Sequence, residues 1–209
     1  MRGGGLMITK KDFQCFWDNN YGSAPPLGHI LRERFSDKWF RIHSLPNSKR
    51  YAKSDNEIQI ILDRQNSLIS DLIGSGQSYL LLFYAMSENA TSTRFNHISN
   101  TIPLDSINLE FSLPEHYEGE YYLHMGFINK IWEATSIDTY LEKVASDELV
   151  VDFDACEYDL YRILIVNIKQ NRIIVPYDGG VDIFLNTQNE RDFFKSKYKD
   201  WLPSHEKGL

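Results

Sequence analysis

The stretch RIIVPYDGGVDIFL, residues 172–185, decides how the rest of the chain is read. Ile173, Ile174 and Val175 are β-branched, Asp178-Gly179-Gly180 forms a corner, and Val181, Ile183 and Phe184 resume the apolar run. Run, glycine corner and run make the pattern of a β-hairpin, with the glycines expected to supply positive φ. The same corner sets Asp178 and Asp182 beside the hydroxyl of Tyr177. Two readings stand: a rim carrying acids and a phenol, or a turn whose Asp bonds its own backbone.

Working outward, residues 150–153 and 160–168 read as strands, and residues 167–171 turn the second into the hairpin. Thr187 with Glu190 has capping-box spacing before a last helix that turns Phe193, Phe194, Tyr198 and Trp201 inward until Pro203. Ser136 caps a helix with Ile137, Tyr140, Leu141 and Val144 on one face. Further back, Thr9 caps a helix over 10–19, and Pro26 opens a second near its first position. Residues 38–43 alternate as a strand. Ser54 and Glu57 cap the longest helix, residues 55–73, and Gly74 ends it. Residues 79–86 read as a buried strand and the polar residues 87–100 as a loop. Residues 107–111, 121–128 and 131–134 read as short strands, with Asn129-Lys130 as a hairpin turn. Strands joined by short turns with helices around them give an α+β class. The expected architecture is an antiparallel or mixed β-sheet, covered on one side and flanked by about four to five helices. It forms a single domain over residues 1–209, with residues 1–8 frayed.

The chain has 209 residues, enough for one sizeable core, and its 42% hydrophobic and 24% charged residues are a globular balance. No apolar run reaches the roughly 18 residues of a membrane span. MRGGGLM has no stretch suited to a signal peptide. Cys15 and Cys156 lack metal-ligand spacing, which fits free thiols in a reducing compartment. These points place the protein in the cytoplasm, away from membranes. Net charge is −7 but unevenly laid out. Residues 31–53 hold seven basic side chains against two acids, while residues 101–160 hold two lysines against 14 acids. Blocks of one sign either steer an opposite partner or meet and cancel in the fold.

The second informative stretch is WFRIHSLPNSKRY, residues 39–51. Arg41 and His43 share a strand face, and Lys49, Arg50 and Tyr51 follow across a proline turn. Such donors can hold a phosphate or carboxylate, with His43 as a proton carrier. The alternative is a loop whose cations cover aromatics and pair with acids. No phosphate-binding Gly-rich loop, G-x-S-x-G, H-E-x-x-H or C-x-x-C occurs. His116 and His124 beside Glu115, Glu118 and Glu120 lack ligand spacing, so neither a metal nor a cofactor is expected. Cys15 reads as core packing rather than a nucleophile. Aromatics interleave the basic stretch, but the acidic block repels a phosphate backbone and argues against nucleic acid.

Residues 25–52 and 176–209 resemble an uncharacterised bacterial family, a domain of unknown function common in actinobacteria. The shared patterns are H-S-L-P-x-S-K-R-Y and P-Y-D-G-G-x-D…R-D…D-W-L…G-L. Residues 55–73 and 144–148 are similar too, and residues 87–128 show little match. The resemblance transfers no activity. It marks His43, Ser44, Lys49, Arg50 and Tyr51, and Tyr177, Asp178, Gly179, Gly180 and Asp182, as the matching positions. The two motifs are expected to meet, with Arg50 or Lys49 near Asp178 or Asp182.

Two functions follow as expectations. The first is a non-enzymatic interaction protein, immunity- or antitoxin-like, that binds a basic protein partner through acids such as Glu115, Glu118 and Glu120. The second is an enzyme or binding protein that holds a small anionic ligand, phosphorylated or carboxylated, between the motifs. There Arg41, Lys49 and Arg50 would hold the anion, and His43 with Asp178 or Asp182 would move a proton.

Overall fold

The computed structural model describes residues 7–87, 92–107, 122–145 and 162–205. Within them lies a seven-stranded sheet, every pairing antiparallel. The strands are β1 (Trp39–His43), β2 (Ser78–Ser87), β3 (Asp105–Ile107), β4 (Tyr122–Ile131), β5 (Ile163–Asn167), β6 (Arg172–Tyr177) and β7 (Gly180–Phe184). Their order across the sheet is β1-β7-β6-β5-β2-β4-β3. The helices are α1 (Lys10–Tyr21), α2 (Gly28–Arg34), α3 (Asp55–Ile73), α4 (Thr93–Thr101), α5 (Asp138–Ala145) and α6 (Gln188–Lys197). The fold is α+β.

Alternation along the strands sorts the core into two layers, so the sheet is covered on both faces rather than on one. Phe40, Ile42, Leu81, Phe83, Ile165, Ile174 and Ile183 face a layer built with α3, α5 and α6. Leu80, Leu82, Phe127, Leu164, Val166, Ile173 and Val175 face the layer of α1 and α2. Phe13 and Trp17 of α1 are fully buried there, each contributing about 2–3 kcal/mol of transfer free energy. A capping box joins Thr9 and Asp12 at the start of α1. Thr187 caps α6 by accepting from the Glu190 N–H, while the Glu190 side chain accepts from Asn186 N–H and pairs with Arg172.

Several expectations change. Residues 93–101 form α4 where a loop was expected: Ser92 caps it, and Phe95, Ile98 and Ile102 recur at helical spacing and are buried. Residues 122–131 make one strand with no turn at Asn129-Lys130, because β2 pairs with β4 through both residues. The Asn129 amide instead clasps the Ile8 backbone, accepting from its N–H and donating to its carbonyl. Pro25 and Pro26 precede α2, whose N-cap is Leu27. Phe193 is 65% exposed, leaving Phe194 and Tyr198 as the buried aromatics of that segment. Cys15 is exposed rather than packed in the core. Residues 150–153, expected as a strand, lie outside the described residues, as do residues 108–111 of the segment that begins in β3.

The glycine corner also differs in kind. The positive-φ glycines among the described residues are Gly22, Gly74 and Gly76. Gly179 and Gly180 are required for space instead. A Cβ on Gly180 would lie 2.1 Å from the Ile42 carbonyl oxygen, and one on Gly179 would lie 2.9 Å from Arg50 Cγ. Their missing side chains let β1 and the segment after it close on the hairpin.

Candidate functional site

The register of β1 against β7 builds the site. Arg41 is the cross-strand partner of Asp182 and His43 that of Gly180, while Tyr177 pairs Gly180 from the other side. With a side-chain period of two, Trp39, Arg41, His43, Tyr177 and Asp182 all point to the face of α1 and α2. Asp182 is buried and fully engaged. It accepts Arg41 Nε at 2.7 Å and Nη2 at 2.8 Å in a bidentate pair, and Trp39 Nε1 at 2.8 Å. The Arg41 guanidinium lies 4.6 Å from the centre of the Tyr177 ring. Burial works against its charge, but the hydrogen bonds and charge of Asp182 more than offset this, and its pKa is raised. Burial pushes the Tyr177 phenol up, so it stays protonated at neutral pH.

Arg50 reaches the corner from the other motif. Its Nε donates to Asp178 at 3.1 Å, and its guanidinium sits 5.0 Å from the Tyr51 ring. The two motifs therefore meet. His43 is held neutral at physiological pH, since burial and then the neighbouring Arg41 lower its pKa against the pull of the Ser48 backbone. Its buried Nδ1 has no well-aligned hydrogen bond among the described residues. Asn47 and Ser48, in the turn that follows, both adopt positive φ.

Two expected residues lie elsewhere. Ser44 is fully buried and turns to the opposite face, where its hydroxyl accepts from Gln65 of α3. Lys49 pairs with Glu57 at the start of α3. Glu115, Glu118, Glu120 and His116 lie outside the described residues.

Two cavities flank this group, and Arg41, Arg50 and Tyr177 line both. One, of about 510 Å³, extends past His43, Ser48 and Gly179. The other, also about 510 Å³, extends past His29, Tyr84 and Arg162. The second opens for a reason written in the strands. The β5–β6 ladder stops at Ile165 and Ile174, two residues before Pro176, whose nitrogen cannot donate. Arg162 meanwhile stays with β2, its carbonyl accepting from Tyr84 N–H at 3.1 Å. Gly28 closes the floor, where a Cβ would approach Val175 Cγ1 to 3.1 Å. Among the described residues that line it, three guanidinium groups meet two carboxylates. Asp182, with both oxygens held by Arg41, is an anchor for that guanidinium rather than an acid–base group.

Trp39 was readable as a site residue from its place two before Arg41 on one strand face. Tyr84, Arg162 and His29 carried no such signal, because the splay of β5 from β6 brings them in.

The family model for the domain of unknown function DUF3885 matches residues 27–206. The chain belongs to that family. No curated protein and no solved structure matches it. The DUF3885 span contains β1, the glycine corner and both cavities, and excludes α1. Among the described residues no helix is long and apolar enough to cross a membrane.

Proposed function

We propose that this DUF3885 protein binds a small phosphorylated or carboxylated compound in the cavity between Tyr177 and Arg162. The observation that carries this reading is the gathering of Arg41, Arg50 and Arg162 with Tyr84 and Tyr177 around one space of about 510 Å³. Guanidinium groups match planar carboxylates and phosphates, and those held by neighbouring groups lose little entropy when a ligand arrives. Asp182 and the Tyr177 ring keep Arg41 in place before any ligand binds. The role is binding rather than proton transfer, because both carboxylates at the corner accept from guanidinium groups. A reducing, cytoplasmic setting suits the exposed thiol of Cys15.

Calorimetry with inorganic phosphate, glycerol phosphate and citrate tests this reading. At least one probe should bind, and Arg162→Ala should weaken it about tenfold or more while Lys49→Ala leaves it unchanged. Absence of heat with all three, or equal binding by Arg162→Ala, sinks it.

A second reading rests on the 14 acids among residues 101–160: recognition of a basic protein in the manner of an immunity protein. Reversal of Glu115, Glu118 and Glu120 to Lys should then slow association with a captured basic partner, and unchanged rates would remove this reading.

A further inference from the structure

With the cavity between Tyr177 and Arg162 taken as an anion site, as proposed above, we infer that its ligand is an aryl phosphate or aryl carboxylate whose ring enters the sheet. The strands leave a place for it. β6 runs on past its pairing with β5: Ile174 is matched by Ile165, whereas Val175, Pro176 and Tyr177 are matched on the β7 side, by Asp182, Val181 and Gly180. β5 in turn keeps to β2, with Ile163 opposite Phe83 and Leu164 opposite Leu82. A notch therefore opens between the β1-β7-β6 part of the sheet and the β5-β2-β4-β3 part.

The cavity crosses the sheet at this notch. Val175 borders it and packs in the layer of α1 and α2, where Gly28 meets it. Val144 of α5 also borders it and packs in the opposite layer, with α3 and α6. Side chains alternate across a paired sheet, so one space touches both layers where the strands part. The lining is graded from inside to outside. Gly28, Val144, Val175 and Pro176 are buried and apolar, whereas Arg50 and Arg162 are exposed. The floor is thus hydrocarbon and the mouth cationic.

A ligand that fills about 510 Å³ so lined has to be amphiphilic. An inorganic anion uses the mouth and leaves the floor empty. A polyol phosphate would set its hydroxyls against Val144, Val175 and Pro176, whose side chains offer them no hydrogen bond, and burial without one is costly. An aromatic ring instead gains by leaving water there and can pack against the rings of Tyr84 and Tyr177. Gly28 keeps the floor wide, since a Cβ would approach Val175 Cγ1 to 3.1 Å. The ring then lies between the two layers of the core, with its phosphate or carboxylate at the guanidinium groups.

The test is calorimetry on the full chain with two matched pairs of probes, phenyl phosphate against glycerol phosphate and phenylacetate against glycerate. In whichever pair binds, the aryl member should be about tenfold tighter or better and should show the more negative heat-capacity change. Both readouts use the unaltered chain and do not depend on a variant folding. Val144→Thr and Val175→Thr, which put a hydroxyl in place of a methyl on either side of the sheet, should each weaken the aryl probe about threefold or more. Neither should alter the affinity for inorganic phosphate. Equal affinity within each pair that binds, or a loss on Val175→Thr with none on Val144→Thr, overturns the inference and leaves the anion site standing. Absence of heat with all four probes and with inorganic phosphate removes both.

Discussion

Asp182 holds Arg41 with both carboxylate oxygens, at 2.7 and 2.8 Å, across adjacent strands in a position where the carboxylate is almost wholly buried. A buried ion pair is a weak source of net stability, yet removal of one partner is costly because the other charge is left without compensation. The pair organises the site by fixing the guanidinium against the Tyr177 ring.

Asp182→Asn should therefore destabilise the protein by about 3–5 kcal/mol, read from the midpoint of urea denaturation. Asp178→Asn should cost less than about 1 kcal/mol, since the Arg50 side chain is 58% exposed and can rehydrate. Equal losses would mean that burial of the partner guanidinium is not what sets the cost.

The glycine corner should respond unequally to the addition of one methyl group. Gly180→Ala sets a Cβ into the Ile42 carbonyl, which is backbone in the adjoining strand, and should cost on the order of 3 kcal/mol or more. Gly179→Ala meets the stem of Arg50, a mostly exposed side chain that can shift, and should cost clearly less. A circular-dichroism melt that ranks them the other way would contradict the spatial account of these glycines.

His43 gives a pH signature whose sign is fixed. Its pKa is lowered in the folded chain from the usual 6.5, so the unfolded chain takes up the proton first as pH falls. The contribution to stability is complete above about 6.5 and is lost as pH drops through that value toward the folded pKa. The difference between wild type and His43→Gln, followed by urea midpoints from about pH 8 to about pH 5, should narrow on acidification. Parallel profiles would show that His43 is not the group responsible.

Gln65 and Ser44 make a buried polar contact that is only half satisfied: Gln65 Nε2 donates to Ser44 Oγ at 3.0 Å, and Gln65 Oε1 has no partner among the described residues. Ser44→Ala should cost about 1–3 kcal/mol by leaving the amide wholly unpaired, whereas Gln65→Met should change stability by less than about 1 kcal/mol. A large loss on Gln65→Met would mean that the contact specifies how α3 seats against the segment after β1.

Much of this fold was legible because its signals are local. The longest helix, residues 55–73, lay between Ser54 and Gly74, and the hairpin of β6 and β7 was visible in its β-branched runs and corner. The β4 strand was misread because Asn129-Lys130 looks like a turn until the Ile8 backbone arrives from 121 residues away. Helix α4 was hidden for the opposite reason. Its few apolar residues, Phe95, Ile98 and Ile102, are diluted by polar ones and gain their meaning only against the sheet. The meeting of Arg50 with Asp178 followed from the two motifs taken together, but the bidentate hold of Asp182 on Arg41 needed the β1–β7 register. The cavity needed the parting of β5 from β6, which no single stretch encodes.

The place of β1 in the sheet has a consequence for how the polypeptide is made. Among the described residues β7 is the one strand it pairs with, and Arg41 and Asp182 are separated by 141 residues. During synthesis the strand leaves the ribosome early and has no strand to pair with until the closing hairpin emerges. Through that interval Phe40 and Ile42 have only partial cover, and the nascent chain offers an adhesive segment to whatever is nearby. Chains cut short before β7 should accordingly be cleared or aggregate rather than persist as a smaller domain.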